Sequence, residues 1–493
     1  MPAKVAVVGA GISGLAAAWE LCRTPMGGSS NGHGPADVEV VVLDAAQRSG
    51  GKLRAVEISG RPVDAGPDAL LVRRPEAVGL LGELGLAGDL EPQASSGSFV
   101  LARGKLRHLP AGLVIGAPGR LWPVATSGII GPAGLARASF DLLRLRKSGR
   151  EVGSSAGDEE APRGRDRTIG NIVRSHFGAQ IAERLIEPLV GGIHAGSIDD
   201  LSAAAVFPPL LTASAAGGSL FRSLRAMSPP PPKAADGPRG PVLSSLRGGL
   251  WRMAAALHSA LVERGAEIRL STPVEALRPS PHGGWSISTP SGSLDVDGVV
   301  LATPAHRSAL LLEEADPALG RLVGEIEHAS IAVVTLSLAA AAVEHPLNGT
   351  GYLVPRTEGR LVTACTWLSS KWPYIRQEGE ALLRASVGRR GDDRHTRMDD
   401  DELARQVIGE LEDVLGALGE PRAISVTRWP DAFPQYRVGH LELVATAREK
   451  AALLSPPLVL TGAWMDGVGI PACIGAARNA VSSLLDRLPA ARS

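Results

Sequence analysis

The chain has 493 residues, enough for about two or three domains with large buried cores. Its 51 Lys and Arg residues balance 51 Asp and Glu residues, and a net charge of zero excludes broad electrostatic attraction to nucleic acid or to an acidic membrane surface. The three cysteines Cys22, Cys365 and Cys473 are far apart and form no C-x-x-C motif, which supports neither a disulfide framework nor a zinc site and favours a reducing cytoplasm.

The first residues predict a nucleotide site. Val5–Val8 is a β-branched apolar run that predicts a buried parallel strand, and Leu15–Leu21 predicts a helix. Between them stands a Gly-x-Gly-x-x-Gly fingerprint, in which the first glycine allows a tight turn, the second a close approach to a diphosphate and the third close helix–strand packing. The predicted cofactor-binding residues here are Gly9, Ala10, Gly11, Ile12, Ser13 and Gly14.

Two other interpretations of this stretch are a membrane anchor and a glycine turn without a ligand. Residues 5–22 are almost continuously apolar, but only Lys4 precedes them and three glycines interrupt them, which disfavours a signal or membrane segment. The later apolar run at 329–343 is too short to span a bilayer as a helix. A nucleotide site is therefore the preferred interpretation.

The second predicted strand, Val38–Leu43, ends at Asp44. The Gly-, Ser- and Pro-rich segment Thr24–Asp37 is interpreted as a surface loop, and without it the spacing from the glycines to Asp44 suits a βαβ unit. A carboxylate here accepts hydrogen bonds from ribose hydroxyls and repels a 2′-phosphate, which disfavours NADP. Leu43 and Asp44 are predicted cofactor contacts.

Two further segments strengthen the prediction of a flavin. Residues 44–52 resemble the Arg-x-Gly-Gly extension of FAD-dependent amine oxidases and their relatives, and the resemblance implies that Arg48, Gly51 and Lys52 lie along the flavin diphosphate. In that family a Gly-Pro turn lies beside the isoalloxazine ring, which implies the same role for Gly66, Pro67, Asp68 and Ala69. In flavoproteins of this class a backbone N–H and C=O meet the adenine edge, and the resemblance implies this role for Val274.

The carboxyl-terminal part repeats the strand, glycine-rich loop and helix arrangement. Backbone N–H groups at Val468, Gly469 and Ile470, just before the last predicted helix, are placed to stabilise negative charge on a reduced flavin. Ala463, which follows the strand, is a further predicted cofactor contact.

Nearly the whole chain resembles the oxygen-dependent porphyrinogen oxidases of haem biosynthesis. The resemblance rests on Pro188–Gly196 followed by Leu201-Ser202, on Trp429-Pro with Pro434-Gln-Tyr436, and on Gly467–Ile470 with Cys473-Ile474. It implies an α/β (α+β overall) fold in which a Rossmann-type FAD-binding domain is joined to a mixed-sheet substrate domain and a helical domain. Trp429 becomes a predicted flavin contact.

The resemblance also implies the boundaries of the domains. The FAD-binding domain occupies 1–91, 246–305 and 456–493, the helical domain 92–210, a low-complexity connection 211–245, and the substrate domain 306–455. Residues 99–109 predict a hairpin that turns at Arg103-Gly104, and the charged segment Arg146–Asp166 and the proline-rich Met227–Pro241 are assigned no regular structure. Strands are predicted at 331–339, 351–355, 361–367 and 382–388, and an amphipathic helix at 399–418.

The implied activity is oxidation of a porphyrinogen to a porphyrin with non-covalent FAD. Six electrons are removed in three two-electron steps, with oxygen as acceptor and hydrogen peroxide as product. The absence of an evident membrane anchor favours the coproporphyrinogen III branch, in the cytoplasm, over protoporphyrinogen IX. Peripheral membrane contact and a homodimer are both compatible with the resemblance, and no nucleic acid partner or metal is expected.

Because the flavin carries the chemistry, no catalytic acid–base pair is expected. Gly192 and His194 are substrate-side candidates, and His194 either contacts the substrate or has a structural role. Arg73 and Arg74 are the candidates to bind propionates, since a guanidinium pairs with a carboxylate in a bidentate manner. Ser98 stands where some protoporphyrinogen oxidases carry arginine, which favours the coproporphyrinogen interpretation.

Three alternatives remain open from the sequence. An amine oxidase needs an aromatic cage, for which the chain offers only three tyrosines and six phenylalanines. A polyene desaturase leaves the motif at 188–202 unexplained. A porphyrin carrier without turnover conflicts with intact flavin motifs at both ends of the chain.

Overall fold

The computed structural model describes residues 2–23, 38–95, 97–110, 113–114, 117–118, 121–144, 166–227 and 242–488. The predicted loop Thr24–Asp37 and nearly all of the segments predicted to be irregular at 146–166 and 227–241 lie outside these residues. The chain forms two compact units. Unit 1 comprises Met1–Gln93, Pro241–Glu327 and Glu442–Ser493, and unit 2 comprises Ala94–Gly240 and His328–Leu441.

The first half of the chain is mostly helical after its first strands. Its strands are β1 (Lys4–Val8), β2 (Glu39–Leu43), β3 (Ala55–Ile58), β4 (Arg61–Asp64), β5 (Leu70–Leu71), β6 (Leu90–Pro92), β7 (Phe99–Ala102), β8 (Lys105–His108), β9 (Leu113–Val114) and β10 (Ala117–Pro118). Its helices are α1 (Ile12–Arg23), α2 (Pro75–Glu83), α3 (Leu121–Thr126), α4 (Pro132–Ser139), α5 (Ile169–Phe177), α6 (Ala179–Ile181), a π-helical segment (Ala182–Gly191), α7 (Gly192–His194), α8 (Ala203–Val206), α9 (Pro208–Ala215) and α10 (Leu220–Met227).

The second half contains the longer strands. They are β11 (Leu243–Leu246), β12 (Glu267–Arg269), β13 (Ala276–Pro279), β14 (Trp285–Thr289), β15 (Gly292–Val296), β16 (Gly298–Leu301), β17 (His328–Ala339), β18 (Gly351–Leu353), β19 (Val362–Trp367), β20 (Glu380–Val387), β21 (Ala423–Pro434) and β22 (Leu458–Leu460). The helices are α11 (Trp251–Glu263), α12 (Ala305–Leu312), α13 (Pro317–Gly324), α14 (Leu368–Lys371), α15 (Asp400–Leu415), α16 (His440–Leu453) and α17 (Ile470–Leu485).

A five-stranded parallel sheet in the order β12-β2-β1-β16-β22 is the centre of unit 1. In β1, Val5 and Val7 face a core with α1, α11 and α17, whereas Ala6 and Val8 face a second core with α12 and α13. Both faces are therefore covered, which explains why this strand is apolar at every position rather than at alternate ones. Cofactors of such sheets bind at the carboxyl ends of the strands, and the β1–α1 loop lies there.

Unit 2 is built on a seven-stranded mixed sheet in the order β21-β17-β20-β19-β18-β7-β8. All neighbours are antiparallel except β18 and β7. One core of this sheet is closed by α15, whose Leu403, Val407 and Leu411 are buried at helical spacing. Helices α3 to α10 of unit 2 fall within the region that the sequence analysis assigns to a helical domain and its connection.

The predicted α/β fold is confirmed, with a Rossmann-type parallel sheet and a separate mixed sheet. The hairpin is confirmed too, because Ala102 pairs with Lys105 across Arg103 and Gly104, which have φ values of 55° and 71°. This hairpin belongs to the mixed sheet, although the sequence analysis assigns residues 92–210 to a helical domain. Helices α9 and α10 occupy 208–227, the beginning of the stretch interpreted as a low-complexity connection.

Candidate functional site: a dinucleotide cradle and a fixed helix end

The loop between β1 and α1 has the geometry that its glycines predict. Gly9 has a φ of +106° and donates its N–H to the carbonyl of Leu43 at 2.7 Å. A Cβ on Gly14 would lie 1.7 Å from the carbonyl oxygen of Gly9, so helix and turn pack too closely for any side chain. A Cβ on Gly11 would meet no atom within 4 Å, so this face of the loop is open.

The amino terminus of α1 offers unpaired donors at this open face. Among the described residues, no acceptor reaches the backbone N–H groups of Ile12, Ser13 and Gly14. Unpaired amides and the positive end of the helix dipole together attract anions. The loop therefore suits a diphosphate.

Asp44 is fixed beside the same loop. Its Oδ2 accepts the N–H of Ala10 at 2.5 Å and its Oδ1 accepts the N–H of Ala46 at 2.7 Å. Both bonds orient the carboxylate, and lone pairs remain on each oxygen for ribose hydroxyls. The structure thus holds the predicted acidic residue beside the glycine loop.

The second glycine pair packs directly against the first loop. The N–H of Gly50 donates to the carbonyl of Ala10 at 2.7 Å, and a Cβ on Gly51 would lie 3.1 Å from the Cα of Gly11. The neighbouring Arg48 side chain has a lowered pKa because of partial burial and the nearby charge of Arg54. The two glycine motifs thus form one continuous cradle, although they are some 40 positions apart, which is about the length of one βαβ unit.

The Gly-Pro turn closes on this cradle through Gly66, whose Cβ would lie 2.0 Å from the carbonyl oxygen of Lys52. Pro67, Asp68 and Ala69 follow in the same turn. The Lys52 ammonium has a lowered pKa because its surroundings desolvate it, and the nearby Cys473 thiol opposes this shift. Cys473 also shares a hydrogen bond with Ser13, so both ends of the chain meet at the cradle.

Four more predicted contacts, Val274 and Val468–Ile470, have unpaired backbone groups. In the described part of the chain, Val274 is buried, yet neither its N–H nor its C=O has a hydrogen-bond partner. The N–H groups of Val468, Gly469 and Ile470 likewise donate to no described residue, and they precede α17. Val274 and Ile470 are buried, and buried backbone groups are nearly always paired, so these two suit contact with a bound molecule. Together with the glycine cradle and Asp44, they fit a dinucleotide.

The remaining predicted site residues differ in their surroundings. Arg73 and Arg74 are exposed in unit 1, and the Arg74 guanidinium lies 3.7 Å from the Glu76 carboxylate. Trp429 is half-buried in β21 and belongs to unit 2, unlike the other predicted cofactor contacts. Ala463 follows β22 in unit 1.

Gly192 and His194 form the end of a continuous helix over residues 179–194 in unit 2. Gly192 is exposed, whereas the His194 imidazole is buried and its Nδ1 has no partner within the described ranges. Burial lowers the pKa of His194 to about 4. The imidazole is therefore neutral at physiological pH and supplies no positive charge.

Two sets of residues at these sites were not predicted. Asp64 accepts the N–H groups of Leu250 and Trp251 at 2.8 and 3.0 Å, and thereby caps α11 from the end of β4. Glu187 and Arg356 form an ion pair with 2.5 Å between Oε1 and Nε. A Gly-Gly turn before a helix indicates that a cap is needed, but no local sequence pattern says which distant side chain supplies it.

These features define a flavin-dependent oxidoreductase with a dinucleotide cradle on a Rossmann-type sheet. The sequence model of the flavin containing amine oxidoreductase family matches residues 12–485, and the chain belongs to this family. The predicted recognition of this group of flavoproteins is thereby confirmed.

Proteins similar in sequence or in structure over nearly the full length of the chain include the following three. A coproporphyrinogen III oxidase of Bacillus subtilis (strain 168) is 31% identical and covers 98% of both chains. One of Mycobacterium leprae (strain TN) is 35% identical and covers 97% of both. A crystal structure from Exiguobacterium sp. 255-15 has a TM-score of 0.83 at 30% identity and covers 98% of this chain and 99% of its own.

In the described ranges, no helix combines the length and the apolar character that crossing a bilayer requires.

Proposed function

We propose that this protein oxidises coproporphyrinogen III to coproporphyrin III, using non-covalently bound FAD and oxygen and releasing hydrogen peroxide. The observation that carries the proposal is the full-length similarity, at 31% and 35% identity, to coproporphyrinogen III oxidases. The unpaired amides of the cradle support it, since they fit the cofactor on which such an oxidation depends.

The residues of the cradle have separate tasks in this proposal. The amides of Ile12–Gly14 hold the diphosphate, Asp44 binds a ribose, and the backbone of Val274 meets the adenine edge. The amides of Val468–Ile470 face the flavin ring and favour negative charge on it. When bound, FAD accepts the electrons and passes them to oxygen, while the protein positions and shields the reacting groups.

The cysteines support non-covalent binding. Burial raises the pKa of Cys22 to about 11 and that of Cys365 to about 12, and it also raises the pKa of Cys473. A thiol that stays protonated is a poor nucleophile toward a flavin. We therefore expect acid denaturation of the protein to release chemically unmodified FAD.

Arg73 and Arg74 are proposed to bind propionates of the substrate. Both are exposed, and the pairing of Arg74 with Glu76 at 3.7 Å is loose enough to be exchanged for a substrate carboxylate. His194 is proposed to contact the substrate. Because its imidazole is neutral, this contact adds no charge. The cytoplasmic location, the homodimer and any peripheral membrane contact stay predictions.

Aerobic turnover of coproporphyrinogen III and protoporphyrinogen IX, measured side by side, tests the proposal. Porphyrin fluorescence and peroxide are followed against a no-enzyme control, and we expect a clear preference for coproporphyrinogen III with about three peroxides per porphyrin. Preference for protoporphyrinogen IX would correct the substrate. FAD-loaded protein that oxidises neither would refute porphyrinogen oxidation and direct attention to amines and polyenes.

A further inference from the structure

The helix end at Gly192–His194 is followed by a turn that is held in place from several sides. The carbonyl of His194 accepts Nε2 of Gln435 at 3.0 Å, and the carbonyl of Ala195 accepts the N–H of Arg390 at 2.7 Å. The carbonyl of Gly196 accepts a guanidinium N–H of Arg356 at 2.8 Å. Three successive carbonyls are thus fixed by residues of the mixed-sheet part of unit 2.

Glu187 and Arg356 join this turn to the helix that precedes it. One carboxylate oxygen of Glu187 pairs with Arg356, and the other accepts the N–H of Ile198 at 2.9 Å. The Glu187 side chain is only 7% exposed. A single buried carboxylate therefore fixes both the N–H of Ile198, just after the turn, and the Arg356 guanidinium that holds Gly196.

The residues ahead of the turn are arranged in the opposite way. Gly192 and Ile193 are exposed, and no donor within the described residues reaches their carbonyl oxygens. A Cβ on Gly192 would touch only a methyl group of Leu353, at 3.7 Å. Ala195 has a φ of 47°, a conformation that keeps the following residues from continuing the helix. The carbonyls of Gly192 and Ile193, just before the fixed turn, are thus unpaired among the described residues and held at a defined position.

We propose that the Glu187–Arg356 pair is a positioning pair, which fixes the Gly192 carbonyl where the porphyrinogen binds. The inference rests on the proposed function and on the sequence-based prediction that Gly192 is on the substrate side. Neither Glu187 nor Arg356 needs to touch the substrate. Their effect is indirect, because a displacement of about 1 Å in a positioning group can cost on the order of 100-fold in rate.

Variants of the pair separate positioning from general stability. We expect Arg356→Met to raise the Kd for coproporphyrin III, measured by fluorescence quenching, and the KM for coproporphyrinogen III by about 10-fold each, and to lower kcat. Glu187→Gln keeps a hydrogen-bond acceptor and Arg356→Lys keeps a positive charge, so both variants should retain most of the activity. The double variant Glu187→Gln/Arg356→Met should be no worse than Arg356→Met alone, because the two residues act as a unit.

The matched control is Asp413→Asn, which removes the negative charge from the exposed Arg360–Asp413 pair, also 2.5 Å long and also in unit 2. It should leave Kd, KM and kcat unchanged. FAD content and the unfolding midpoint are measured for every variant. Wild-type Kd and KM in a folded, FAD-loaded Arg356→Met protein would overturn the proposal. If Arg356→Met does not fold, the conservative variants Glu187→Gln and Arg356→Lys decide. Wild-type Kd and KM in both support positioning. Losses of affinity and activity that parallel the loss of stability of these two variants refute it.

A measurement without substrate distinguishes this inference from the proposed function. Hydrogen exchange at the Gly196 and Ile198 amides should become faster in Arg356→Met than in Asp413→Asn. If the wild type oxidises no porphyrinogen but this exchange still differs, the proposed function fails while the pair is shown to fix the turn. If exchange is the same in both variants, the pair does not fix the turn, whatever the substrate.

Discussion

At the scale of single residues, Gly11 and Gly14 belong to one motif but meet different neighbours. An added methyl group on Gly11 points into open space, whereas one on Gly14 collides with the backbone of Gly9. We therefore expect Gly11→Ala to fold normally and to bind FAD about 10-fold more weakly, because the methyl group occupies the place of the diphosphate. Gly14→Ala should lose on the order of 2 kcal/mol of unfolding free energy in addition.

The two variants are compared by FAD titration of apoprotein and by denaturant unfolding of the same samples. Wild-type FAD affinity in Gly11→Ala would show that the open face of the loop does not receive the diphosphate. Equal stability of Gly14→Ala and the wild type would contradict the close packing of loop and helix.

The buried His194 makes a prediction about pH. Burial places its folded pKa at about 4, below the ordinary value of 6.5, so the unfolded chain takes up the proton first as the pH falls. The stability that the neutral imidazole provides is therefore complete above pH 6.5 and is lost between about pH 6.5 and 4. Between pH 7.5 and 4.5, the wild type should lose about 2 to 3 kcal/mol more unfolding free energy than His194→Leu.

Denaturant unfolding of both proteins over this pH range gives the measurement, since groups common to the two proteins cancel in the difference. Parallel curves would mean that His194 is hydrated in the folded protein. The same neutral imidazole implies that turnover shows no titration of His194 between pH 5 and 8.

At the scale of elements, Asp64 joins a strand to a helix that follows about 190 positions later, a separation for which no local rule exists. Asp64→Ala should lower the unfolding free energy by about 2 kcal/mol and weaken FAD binding, because α11 and the Gly66 turn lose a shared support.

The matched control for this prediction is Asp316→Ala. Asp316 caps α13 through the N–H groups of Ala318 and Leu319 at 2.9 and 3.0 Å, also in unit 1. It should cost about 1 kcal/mol and leave FAD affinity unchanged. Equal FAD affinity in both variants would show that Asp64 has no role beyond capping.

Much of the cradle could be predicted because its signals are local. The β1–α1 loop, Asp44 and the Arg103-Gly104 hairpin turn are each set by the chemistry of a few adjacent residues. The helix through Pro188 could not, because proline in a helix interior normally breaks it, and here the wider π-helical turns accommodate it. Glu187–Arg356 also has no local signature, since its partners are distant in sequence and become neighbours only through tertiary packing.

At the scale of the whole molecule, unit 1 is assembled from three separate segments of the chain. Strand β1 pairs with β16 from the second segment, and α1 packs against α17 from the third. We expect a fragment of residues 1–93 to be unfolded and unable to bind FAD, although it contains both glycine motifs, because β1 and β2 would lack a covered face. Circular dichroism and FAD titration of the fragment test this, and a folded, FAD-binding fragment would contradict it.

The position of the Val468–Ile470 amides has a consequence for how the protein is made. Synthesis proceeds from the amino terminus, so the glycine loop leaves the ribosome long before the strand β22, these amides and α17. Until then the nascent chain holds half of a nucleotide site beside an uncovered sheet edge. Tight FAD binding is therefore expected only after α17 has been made, and a shortage of riboflavin in the cell is expected to leave chains that contain α17 but are less stable.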